Sequence, residues 1–141
     1  MLRVVVIDGM GGGIGSQVIS QLRNVLDPAA RLEILALGTN SAATTNMVKA
    51  GADKGATGEN AICYCVPRAD IIIGPLGIII PNGMLGEITP AMATAIVASP
   101  ATKFLLPINQ PHVVLVGVNE APLTALLRDL VKRVQQELEG R

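Results

Sequence analysis

At 141 residues, half of them hydrophobic and 16% charged, the chain has the size of one domain, 1–141, and the composition of a packed core rather than a disordered tail. One Tyr, one Phe and no Trp make that core aliphatic. Eleven basic and eleven acidic residues balance, and without a basic stripe or stacking aromatics a nucleic-acid surface is excluded.

The chain opens on Val4-Val5-Val6-Ile7, four β-branched residues with no polar alternation, the mark of a strand covered on both faces. Met1-Leu2-Arg3 runs straight into it without a secretory leader, so a cytoplasmic protein is expected. Ile14, Val18, Leu22 and Leu26 then recur at helical spacing, and Asp27-Pro28 closes that helix. Between strand and helix lie Asp8, Gly9, Gly11, Gly12, Gly13, Ile14 and Gly15. A turn without Cβ atoms lets peptide N–H groups approach a phosphate, and a helix N-terminus adds unpaired N–H groups and a favourable dipole. Ser16, in the first helical turn, offers a further donor. Gly9-x-x-x-Gly13-Ile14-Gly15 resembles the turn of short-chain dehydrogenases, and Gly11-x-Gly13-x-x-Ser16 is a degraded dinucleotide fingerprint. No lysine follows Gly15, which excludes a Walker-type triphosphate loop. Set against this is a turn that needs glycine for packing only.

Leu32 to Leu37 reads as a second strand. A dinucleotide fold places a ribose-binding carboxylate at its end, but here stand Gly38, Thr39, Asn40 and Ser41. Thr39 and Asn40 are candidates for holding a ribose or phosphate, and equally for capping the next helix, Ser41 to Ala50. Ala52 to Ala56 reads as a short edge strand. Thr57 is expected to cap a helix carrying Ile62 and Cys65, and Thr57, Glu59 and Asn60 are a candidate polar cluster toward a ligand. Cys63 and Cys65, with His112 the sole histidine, make no complete metal set, so no metal is expected. Asp70 to Gly74 is a further buried strand, and Gly74 stands where open α/β sheets place ligand loops. The apolar Ile78-Ile79-Ile80 triplet is expected at a subunit interface. Asn82-Gly83 marks a turn, Glu87 is a lone carboxylate in apolar company, and Thr89-Pro90 opens a helix ending at Ser99-Pro100. Lys103 to Pro107 is a strand, Asn109 to His112 a loop, and Val113 to Val118 a last strand that allows an antiparallel hairpin edge. Pro122 opens the closing helix, whose stripe runs from Leu123 to Leu138.

The expected architecture is α/β: a three-layer Rossmann-like domain with a mostly parallel sheet of five or six strands and helices on both faces. Several motifs together, among them Asp8-Gly9-x-Gly11-Gly12-Gly13-Ile14-Gly15, Gly55-Ala56-Thr57-Gly58-Glu59-Asn60 and Gly86-Glu87-Ile88-Thr89-Pro90, resemble a short bacterial family of unknown function, DUF3842. The resemblance covers nearly the whole chain and implies a small cytoplasmic bacterial protein with no assigned activity. The dehydrogenase likeness stops at the first turn, because those enzymes rely on Tyr-x-x-x-Lys and Tyr64 is followed by Arg68.

These features point to a protein that binds a nucleotide, a dinucleotide such as NAD(P), or another small phosphorylated ligand at the glycine turn, as a sensor or accessory subunit. One alternative is a small enzyme on such a substrate with Asp8, Glu59 or Glu87 as acid–base groups. The other is an interaction protein whose turn only packs. A neutral, apolar surface leads to the expectation of a homo-oligomer.

Overall fold

The computed structural model describes residues 1–108 and 110–141; Asn109, at the head of the expected loop, lies outside them. The buried runs form the sheet. Strands β1 (Leu2–Asp8), β2 (Leu32–Gly38), β3 (Lys54–Thr57), β4 (Ile71–Pro75) and β5 (Thr102–Leu106) lie in the order β3-β2-β1-β4-β5. All four pairings are parallel. The helices are α1 (Gly13–Val25), α2 (Ser41–Lys49), α3 (Glu59–Cys65), α4 (Pro90–Ala98) and α5 (Leu123–Glu139).

Alternation along β1 shows why its sequence lacks a polar face. Val4 and Val6 face a core shared with Val18, Leu22, Met47, Leu127 and Val134 from α1, α2 and α5. Val5 and Ile7 face the opposite core, with Ile62, Met92 and Ile96 from α3 and α4. Both faces are covered, so every residue from Val4 to Asp8 is buried. The fold is therefore the three-layer, Rossmann-like α/β arrangement, with five parallel strands.

Three expectations are corrected. Val113 to Val118 is not a strand: it is extended chain and turn, its valines and leucine 40–96% exposed, and among the described residues it has no ladder partner and the sheet no antiparallel edge. β-branching suits a strand only where a neighbour is available to pair, and tertiary context overrides it here. Ile78 is fully buried in the second core, within a 3-10 turn over Leu76–Ile79, and Ile79 packs against the same core. Ile78 and Ile79 thus pack within their own chain, while Ile80 stays half-buried. Thr57 does not cap α3; Gly58 does, and the Thr57 hydroxyl meets that of Thr44 at 2.7 Å. By contrast Thr89 caps α4, accepting the Met92 N–H, with Pro90 in the first turn. No helix among the described residues is long and apolar enough to cross a membrane.

Candidate functional site

Strand order reverses between β1 and β4: the chain builds outward through β2 and β3, then returns to the other side of β1. A crevice lies at the carboxyl ends of the strands at this point, where ligands of open α/β sheets bind. A cavity of about 580 Å³ lies there, within the range of small-molecule sites. Its floor is Asp8 to Ile14 with Pro75 and Gly77; Met84 and Leu85 form one wall, Gln110 and His112 another.

The five glycines of the turn divide into two kinds. A Cβ on Gly9 would lie 2.5 Å from Glu87 Oε1 and 2.6 Å from Thr39 Oγ1. On Gly12, whose φ is +71°, it would lie 2.8 Å from the backbone of Ala43; on Gly15 it would run into Met47 Sδ and sit 3.0 Å from Asp8 Cβ. Packing alone demands glycine at these three. At Gly11 and Gly13 a Cβ would meet nothing within 4 Å. Both line the crevice and both are exposed, so packing within the chain does not demand glycine at either.

The amides of the turn are partly used by the chain itself. Asp8, only 3% exposed, accepts the N–H groups of Gly9 at 2.8 Å and Gly15 at 2.7 Å. Its carboxylate thus sits on the N-terminus of α1. Glu87 Oε1 accepts the Met10 N–H at 2.7 Å, and Gly12 donates to the Gly9 carbonyl. The Ser16 hydroxyl, expected to face a ligand, donates instead to the Gly12 carbonyl at 2.7 Å. Among the described residues the N–H groups of Gly11 and Gly13 have no acceptor in the chain. The direction of the first follows from its peptide plane. Asn40 Nδ2 holds the Met10 carbonyl from the α2 side, and a trans peptide sends N–H opposite to C=O, so the Gly11 N–H points away from α2.

Two carboxylates therefore border the turn. Burial pushes the Asp8 carboxyl above the ordinary value of 3.8; the amides of Gly15, Gly9 and Ile14 oppose this in part, and nearby Glu87 adds to it. At Glu87 burial also pushes upward, but the Met10 amide, the Thr39 hydroxyl and the Asn40 side chain together outweigh it and hold the carboxyl below 4.5. Chemically, Asp8 can keep a proton further toward neutrality than an ordinary aspartate, while Glu87 is an anchored anion. Among the described residues no Lys or Arg lines the crevice, so an anion there meets backbone N–H groups, the α1 dipole, His112 and the side-chain amides of Gln17, Asn82 and Gln110.

The sequence candidates scatter around this geometry. Asp8, Gly9, Gly11, Gly12, Gly13 and Ile14 line the crevice; Gly15 lies beneath it. Thr39 and Asn40 stand at its edge, bonded to Glu87, and Asn40 also caps α2 through the Ala43 N–H. Gly74 is buried in β4, where a Cβ would come 2.6 Å from the Ile7 carbonyl. Thr57, Glu59 and Asn60 lie elsewhere, with Glu59 accepting a hydrogen bond from Thr89 at 2.8 Å. Sequence reasoning missed Gln17, Met84, Leu85, Gln110 and His112; the only signal for the last two was their place after a strand's carboxyl end. Among the described residues no three His, Cys, Asp or Glu side chains gather as a metal set.

A family model described as a domain of unknown function (DUF3842) matches residues 3–139. No curated protein matches the chain.

Proposed function

The chain belongs to the DUF3842 family of unknown function, and we propose that it binds a small nucleotide or other phosphorylated ligand in the crevice between the ends of β1 and β4. The observation that carries this reading is the pair Gly11 and Gly13: glycines without a packing reason, on a turn that opens a helix, at the point where the sheet order reverses. A packing-only turn accounts for Gly9, Gly12 and Gly15 and leaves these two unexplained. A lining that among the described residues holds amides and one His but no Lys or Arg favours a ligand of low charge density, such as the diester pyrophosphate of a dinucleotide like NAD(P), over a free triphosphate. The role proposed with it is that of a cytoplasmic sensor or accessory subunit.

The test is calorimetric titration with NAD, NADP, ATP, ADP, AMP and S-adenosylmethionine, repeated on Gly11→Val. Gly11 is not in the left-handed region and its Cβ position is open, so valine leaves the melting temperature within a few degrees and projects into the crevice. Saturable binding to the wild type that Gly11→Val abolishes supports the reading; no saturable heat with any of the six removes it.

Self-association is a second part of the proposal. Val113, Val114, Leu115, Val116 and Val118 are all at least 40% exposed within six residues, and so contiguous an apolar run favours contact with another copy.

A further inference from the structure

Beside the crevice, three donors from two parts of the chain converge on a single point. The Met10 N–H comes from the glycine turn, the Thr39 hydroxyl from the end of β2, and the Asn40 amide from the cap of α2. The atom they meet is Glu87 Oε1. Gly9 lies directly beneath, and its missing Cβ is what allows an oxygen to come so close. The Asn40 side chain and the Thr39 backbone are held independently of Glu87. Asn40 is fixed by the Met10 carbonyl and the Ala43 N–H, and the Thr39 N–H is bonded to the Asp8 carbonyl at 3.0 Å. They therefore form a preorganised seat for an oxyanion.

The segment that delivers Glu87 is not at ease. Asn82, Met84 and Leu85 all have positive φ, between 57° and 63°, and Leu85 is 90% exposed. Conformations of this kind persist only where surrounding contacts hold them. Residues 82–85 also form one wall of the crevice, so the seat and the crevice share a strap.

We propose that Glu87 is a built-in stand-in for the ligand: a singly charged oxyanion of the incoming molecule, phosphodiester or carboxylate, takes its place on Met10, Thr39 and Asn40 and releases residues 82–87 from the turn. The proposal rests on the reading of the glycine turn as a ligand seat and adds its regulation. One monoanion replacing one carboxylate leaves the charge beside buried Asp8 unchanged, whereas a dianion adds to it. The apparent affinity of the wild type is lowered by the fraction of molecules in which Glu87 is docked.

The experiment is a ¹⁵N–¹H NMR titration of wild type, Glu87→Ala and Glu87→Gln with dimethyl phosphate and, separately, with sodium acetate. In Glu87→Ala the Met10, Thr39 and Asn40 amides shift saturably at roughly tenfold lower anion concentration than in wild type, because no docked state competes. Glu87→Gln, which keeps the shape and loses the charge, falls between, and it carries the test if alanine prevents folding. A merely structural Glu87 predicts weaker binding in both variants, not tighter. Response to dimethyl phosphate identifies a phosphodiester ligand group, response to acetate a carboxylate. If neither anion moves these three amides in the variants more than in wild type, the seat is overturned. Shifts confined to Gly11 and Gly13 would then leave the crevice reading standing without it, and shifts at the three amides with none at Gly11 and Gly13 would do the reverse.

Discussion

Asp8 and Glu87 border the same glycine turn under opposite electrostatic pressure. Burial dominates at Asp8 and raises its pKa, while hydrogen bonds win at Glu87 and lower it. A raised carboxyl favours folding when protonated: its contribution is fully present below 3.8 and disappears as pH rises through the higher folded value. A lowered carboxyl favours folding when ionised: its contribution is present above 4.5 and disappears as pH falls through the lower folded value. Acidification from neutral pH therefore shrinks the stability difference between wild type and Glu87→Gln, and moves that between wild type and Asp8→Asn in favour of the wild type. Urea unfolding at a series of pH values measures both, and parallel curves for wild type and Glu87→Gln would refute the anchored-anion description. Both residues stood out in the sequence, Asp8 as a carboxylate beside the glycine turn and Glu87 as a lone carboxylate in apolar company. Their destinations were not. Met10 and Glu87 are 77 residues apart, and nothing local announces that a distant glutamate will take a turn amide that could have held a ligand.

Elements were legible in proportion to how far local chemistry agreed with burial. Val4 to Ile7 and Ile71 to Ile73 read as doubly covered strands because both faces of the sheet are packed. Thr89-Pro90 read as a helix start because hydroxyl and ring each match what a first turn needs. Val113 to Val118 carries the same β-branched signal as β1, and no ladder receives it. Thr57 failed in a quieter way: it is the last residue of β3, and Gly58 with φ +98° makes the entry to α3. The α4 cap gives the prediction at this scale. Thr89→Ala removes the acceptor of the Met92 N–H and the donor to Glu59. The cap is worth about 1 kcal/mol, whereas the exposed contact to Glu59 adds little. Urea denaturation should show a loss of that size with an unchanged m-value, and a loss near zero would mean that Pro90 alone sets the helix start.

At the scale of the molecule, the strand order places the crevice. Once β4 returns beside β1, the turn after β1 and the chain after β4 and β5 must meet over one crevice, whatever their side chains are. That the glycine turn would line a crevice was thus readable, while the crevice walls around Met84 and His112 were not. The same long connection between β5 and α5 carries the exposed apolar run, which gives the whole-molecule prediction. Val114 and Val116 are 86% and 96% exposed, so they contribute next to nothing to the stability of the single chain. Replacing both with aspartate changes the unfolding free energy by no more than about 0.5 kcal/mol per site if they face water in the monomer. If instead the run is covered by another copy, two carboxylates buried at that contact separate the subunits. Sedimentation velocity is therefore expected to show an oligomer for the wild type and a monomer for Val114→Asp/Val116→Asp, with both proteins folded. A wild type that sediments as a monomer, or a variant that remains associated, removes this run from any account of assembly.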